Sequence, residues 1–173
     1  DFSTTKQITC TPERERCVDF RADGRAVVYD SERGGIWSIY ESEIVNDKEA
    51  VMTYCTELKE RRLTDGVTTS FQPQYSPDGK KVAYFQNREA ICIVDVKSCK
   101  MHTAMDAKYT YSYSDGDQYF TWSPDGKWLL ANYMGNGGWN NVDVALIDAE
   151  GNDEPVNLTQ SGYTDSRPRW VMG

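Results

Sequence analysis

Tyr75-Ser76-Pro77-Asp78-Gly79-Lys80 and Trp122-Ser123-Pro124-Asp125-Gly126-Lys127 are two copies of one phrase, an aromatic residue followed by a turn. Phe20-Arg21-Ala22-Asp23-Gly24-Arg25 is an earlier copy with Arg-Ala in place of Ser-Pro, and Trp170 opens a fourth. The aromatic anchors stand 55, 47 and 48 residues apart. In such a turn proline fixes φ at the early corner, aspartate accepts a nearby backbone N–H, and glycine takes a left-handed conformation that side chains disfavour. Asp23, Gly24, Pro77, Asp78, Gly79, Pro124, Asp125 and Gly126 are therefore read as turn formers and not as an acidic site.

A second marker keeps the same phase. Ile8-Thr9, Leu63-Thr64 and Leu158-Thr159 each place threonine 11 residues before an anchor, whereas the third expected position falls at Tyr111 and lacks the pair. After each turn comes a short apolar strand: Ala26-Val27-Val28-Tyr29, Val82-Ala83-Tyr84-Phe85 and Trp128-Leu129-Leu130-Ala131. Further strands follow at Ile36 to Tyr40, Ile91 to Asp95 and Val142 to Ile147, with partial alternation that turns each sheet face to a neighbouring sheet. Outer strands are expected around Met101 to Met105 and Val156 to Leu158.

A repeat of this length suits a four-stranded propeller blade. The expected fold is all-β, a partial β-propeller of about three four-stranded antiparallel blades plus end strands. The division is an end strand at 1–11, blades at 12–64, 65–110 and 111–159, and the start of a next blade at 160–173. The end strands are expected at 4–9 and 167–172. The first unit is longer, with a charged surface insertion between Glu41 and Glu60 that reads as a hairpin extension or a short helix. Three blades alone leave two apolar sheet faces open, so the ring needs the remainder of a parent chain or another copy to complete it.

The chain of 173 residues carries 19 Lys+Arg against 27 Asp+Glu, a net charge of −8. A negative field disfavours nucleic acid or an anionic membrane surface as a partner. No apolar run of 18 residues is present, hence no transmembrane segment is expected. The chain begins at Asp1 without methionine or a leader-like stretch, which reads as a processed product or a piece of something larger. Cys10, Cys17, Cys55, Cys92 and Cys99 match no metal or redox spacing; small buried side chains or stray thiols are the reading, with disulfides as the alternative.

Catalysis finds little material. His102 is the one histidine, which excludes multi-histidine zinc sites, and no Gly-x-Ser-x-Gly elbow exists. It reads as a solvent histidine on an outer strand. Asp115-Gly116-Asp117 begins like a calcium loop but lacks the later ligands. No catalytic residue, metal or cofactor is assigned. The candidates for peptide or protein contact are Tyr111, Tyr113, Tyr133 and Trp139, aromatic residues in glycine-rich and polar stretches that suit gripping an extended peptide. Arg14 and Arg16 join them as charges on a loop that meets a peptide terminus or faces water.

The Ser-Pro-Asp-Gly-Lys turns, the Ile-x-Ile-x-Asp strand and the Leu-Thr stop resemble the TolB-like propeller repeat over nearly the whole chain. In the first unit Lys6-Gln7-Ile8-Thr9, Thr11 to Arg16, Ser31-Glu32-Arg33 and Gly35-Ile36-Trp37 look like the propeller of bacterial tricorn-type serine peptidases. That resemblance implies a noncatalytic propeller of an exported, periplasmic or envelope peptidase, serving as scaffold and guiding peptide substrates toward a separate catalytic domain. The alternative is a stand-alone TolB-like propeller of the cell envelope that binds another protein. A propeller-bearing oligopeptidase, with its hydrolase domain outside this chain, is the third reading.

Overall fold

A computed structural model describes residues 5–110, 118–135 and 141–171. Twelve strands are described, in three separate antiparallel sheets of four, each in simple meander order. The first sheet holds β1 (Arg14–Phe20), β2 (Ala26–Arg33), β3 (Ile36–Ile44) and β4 (Leu58–Arg62). The second holds β5 (Ser70–Tyr75), β6 (Lys81–Gln86), β7 (Ala90–Asp95) and β8 (Met101–Met105). The third holds β9 (Phe120–Trp122), β10 (Trp128–Tyr133), β11 (Asp143–Asp148) and β12 (Val156–Asn157). This is an all-β partial propeller of three blades. Among the described residues no helix is long and apolar enough to cross a membrane.

Alternation along the strands gives each blade two faces, and the apolar ones meet their neighbours. Ala26, Val28 and Ile39 of the first blade pack on Tyr75, Val82, Tyr84 and Val94 of the second. Phe85, Ile91 and Ile93 of the second pack on Phe120, Leu129 and Ile147 of the third, with Phe85 and Phe120 edge to face at 5.1 Å. The anchors face backwards onto the preceding blade. Tyr75 and Trp122 are thereby 6% and 8% exposed, while Phe20, on which no described blade packs from behind, is 53% exposed.

The two sequence markers have distinct physical roles. Asp78 accepts from Lys80 N–H at 3.1 Å and from the Ser76 hydroxyl at 2.7 Å, and Asp125 does the same with Lys127 and Ser123 at 3.1 and 2.6 Å. In the first turn, which lacks serine, Arg21 pairs with Asp23 at 3.0 Å and reaches Glu43 at 2.7 Å. Gly24, Gly79 and Gly126 have φ of 70, 70 and 69°, the left-handed conformation the turn requires. The Leu-Thr pair closes the outer edge: Leu63 N–H donates to Ile39 C=O at 2.8 Å, and Thr64 Oγ1 accepts the Ile39 N–H at 3.1 Å. Leu158 and Thr159 repeat both bonds on Val144 at 2.8 and 3.1 Å. The hydroxyl thus supplies an acceptor where the last strand peels away.

Three expectations are corrected. Residues 5–13, which include most of the expected end strand, form no strand, and neither do residues 160–171, since neither segment has a partner strand beside it. Ile8 and Trp170 still dock in phase, Ile8 on the first blade and the Trp170 indole N–H on Thr121 C=O at 3.2 Å. The outward face of the first blade is not open throughout: Met52, Cys55 and Ile8 cover Val27, Tyr29, Tyr40 and Ile44, with the insertion contributing a short 3-10 turn at Met52–Tyr54. Finally, His102 is half-buried, its Nε2 2.8 Å from Ala149 O of the third blade, so it ties two blades together. No disulfide joins the five cysteines; Cys55 and Cys92 are buried, and Cys10, Cys17 and Cys99 are exposed.

Candidate functional site

The first strands of the three blades converge on a cleft of about 280 Å³. Its shape comes from backbone irregularity. β1 bulges between Arg16 and Asp19 and β5 between Phe71 and Gln74, leaving Cys17 and Gln72 each at φ 53°. A left-handed non-glycine residue costs roughly 1–2 kcal/mol and needs compensation. For Gln72 it comes from the preceding blade, where Asp30 Oδ2 accepts the Gln72 N–H at 2.9 Å. Arg167, three residues before Trp170 and at φ 54°, repeats the arrangement by donating its N–H to Asn132 Oδ1 at 3.2 Å. Asp30 and Asn132 both stand ten residues after an anchor. In the second blade that position is Phe85, and Tyr119, which follows it in the third blade, has no positive φ.

Asp19, Gln72, Gln74 and Gln118 are the polar residues that line the cleft, and Val18, Phe85, Tyr119 and Phe120 line it beside them. Asp19 Oδ2 accepts the Tyr75 N–H at 2.8 Å, a second carboxylate of the first blade fastened to the first strand of the next. Gln74 donates its amide to Phe120 C=O at 3.2 Å, and the Trp122 indole N–H returns to Gln74 C=O at 3.2 Å. The walls are thus cross-linked from blade to blade.

Asp30 is fully buried, with Arg16 Nε at 3.3 Å. Burial raises its carboxyl from an ordinary 3.8 to about 6, against the lowering by the Gln72 N–H, Arg16 and Cys17. A raised carboxyl favours folding in its protonated form, so this contribution is present below about pH 4 and lost as pH rises through about 6. That gap corresponds to about 3 kcal/mol as an upper bound. Asp30→Asn keeps the acceptor, as Asn132 does at the equivalent position. It is expected to flatten the dependence of stability between pH 4 and 7 and to leave the chain about 1–2 kcal/mol more stable at pH 8, after the loss of the Arg16 pairing. Urea unfolding at pH 4, 7 and 8 checks this.

The residues singled out from sequence are distributed unevenly. Arg14 is largely solvated, 4.0 Å from Glu32. Arg16 lies at the blade junction, over the Trp37 ring at 4.1 Å and the Phe71 ring at 5.2 Å. Tyr133 stacks on Tyr109 at 5.4 Å. Tyr111, Tyr113 and Trp139, and the Asp115-Gly116-Asp117 segment, lie outside the described residues. Sequence reasoning did not find the cleft residues Asp19, Gln72, Gln74 and Gln118; the one available signal was polar residues within four positions of an anchor.

No family model and no curated protein matches the sequence. Solved structures match in fold. A TolB-type protein of Agrobacterium tumefaciens superposes with a TM-score of 0.59 at 22% identity, over 85% of this chain and 49% of its own. TolB of Acinetobacter baumannii gives 0.59 at 19% identity, over 87% and 33%. An oligogalacturonate lyase in complex with manganese gives 0.57 at 14%, over 80% and 37%. The tricorn protease reaches only 0.41 at 10% identity, over 92% and 18%, which carries no argument for the peptidase likeness of the first repeat. The chain spans about half the length of the first of these structures and a third of the second. The likeness is one of fold, and this chain is a run of β-propeller blades built like those of TolB-type propellers.

Proposed function

We propose that this chain is part of a noncatalytic interaction propeller, of the TolB-like kind, that binds a peptide or protein segment in the cleft between its first strands. The observation that carries the reading is the cleft itself, lined by the amide side chains of Gln72, Gln74 and Gln118 together with Val18 and Tyr119, a combination suited to an extended peptide. The fold likeness to TolB-type structures supports the same reading, together with a place in the periplasm or cell envelope. The half-exposed Phe20 supports completion of the ring by further blades, from the rest of a longer polypeptide or from a second copy.

A random hexapeptide library displayed on phage and panned against the purified chain tests this. Binders are expected, and they should slow amide hydrogen exchange at residues 17–20, 72–75 and 118–122. Absence of binders, or protection confined to the outer strands β4 and β8, contradicts the reading.

A further inference from the structure

Resting on the cleft as a peptide site, we propose that its ligand presents a basic side chain, lysine or arginine, to Asp19. Two acidic residues of the first blade hold the next blade by its backbone, and they differ in one respect. Asp30 has Arg16 beside it at 3.3 Å. Asp19 has only backbone N–H partners, and among the described residues no cation lies within ion-pair distance of it. Its half-buried carboxylate is therefore a negative charge in a cleft without a counter-charge, an arrangement that a ligand's cation stabilises. Desolvation raises the Asp19 carboxyl above its ordinary value, with the Tyr75 and Phe20 N–H groups opposing, as expected of a charge lacking a cationic partner.

The surroundings fit a basic side chain on an extended backbone. Val18, which is exposed, and the half-buried Tyr119 offer apolar surface to the methylene stem, which lysine and arginine bury while their charged ends seek a polar partner. Gln118 lines the same cleft, and its Nε2 is buried without a hydrogen-bond partner. Rotation about its loose terminal torsion turns that donor toward a main-chain carbonyl of the ligand. The net charge of −8 adds a long-range field that favours a basic partner.

Hexapeptides recovered from the phage library are expected to share lysine or arginine at a fixed position. In fluorescence anisotropy, norleucine at that position should weaken binding about tenfold. Asp19→Asn retains an acceptor for Tyr75 N–H; it should weaken the basic peptide by a similar factor and leave the norleucine peptide unchanged. Because the norleucine arm leaves the protein untouched, it decides the matter even where the variant fails to fold. Peptides that protect the cleft but carry no basic residue, or that bind equally with norleucine, overturn this inference and leave the cleft reading standing. A library that returns no binder overturns both.

Discussion

Glu41→Ala is expected to destabilise the chain by about 3–4 kcal/mol, read from urea unfolding at pH 7. Glu41 lies on β3 on the face turned to the second blade and is fully buried. Arg61 donates to it at 2.6 and 2.8 Å, Arg21 stands at 3.9 Å, and the Tyr75 hydroxyl donates to it at 2.7 Å. Burial first, and Glu41 second, hold the Tyr75 hydroxyl firmly protonated, as this donor role requires. Truncation leaves two guanidinium groups and a phenol without their common acceptor. Because the Arg61 side chain is 34% exposed, water recovers part of the loss, which places the effect below the top of the range for broken buried pairs. Tyr75→Phe removes one bond to a charged acceptor and should cost about 1.5–3 kcal/mol. The double variant should cost less than the sum of the two, with a coupling of about 1 kcal/mol or more, because the residues share one bond across the junction. Strict additivity would mean that the two blades do not meet here.

Trp122→Ala is expected to cost about 3–5 kcal/mol, the range for removing a buried large aromatic side chain. The ring packs among residues of the second and third blades, and its N–H bonds to Gln74 C=O at 3.2 Å. Trp122→Phe separates the two contributions: it keeps an aromatic side chain and loses the hydrogen bond, for about 1–2 kcal/mol from the bond together with some lost packing volume. Phe20→Ala, the same anchor in the first described blade, should cost under about 1 kcal/mol, because its ring is already half exposed. Equal losses at Phe20 and Trp122 in thermal melts would contradict the backward packing of the anchors.

The parts of this fold legible in sequence are those that recur with a fixed residue type. The Asp-Gly turns show because their backbone geometry admits few residues, and the Leu-Thr stops show because a threonine hydroxyl replaces a ladder acceptor. The blade junctions were less visible. Asp30 and Gln72 are 42 positions apart, and Cys17, Gln72 and Arg167 share a backbone angle but no side-chain chemistry. Glu41 sits in the alternation at a core-facing position, where a charged residue ordinarily signals a solvent face. His102 looked exposed because its partner, Ala149 O, belongs to another blade. The cleft arises from three strands far apart in sequence, so no local pattern announces it.

Three separate sheets stacked face to face, with their first strands around a shared cleft, underlie every reading above. An NMR NOESY spectrum tests this directly. A cross-peak from the Trp122 indole N–H to the Gln74 or Tyr75 Hα, across a chain separation of 48 residues, is expected together with the absence of Hα–Hα cross-peaks between β4 and β5 or between β8 and β9. Cross-strand peaks joining those pairs, with no indole contact, would show one continuous sheet and remove both the blades and the cleft.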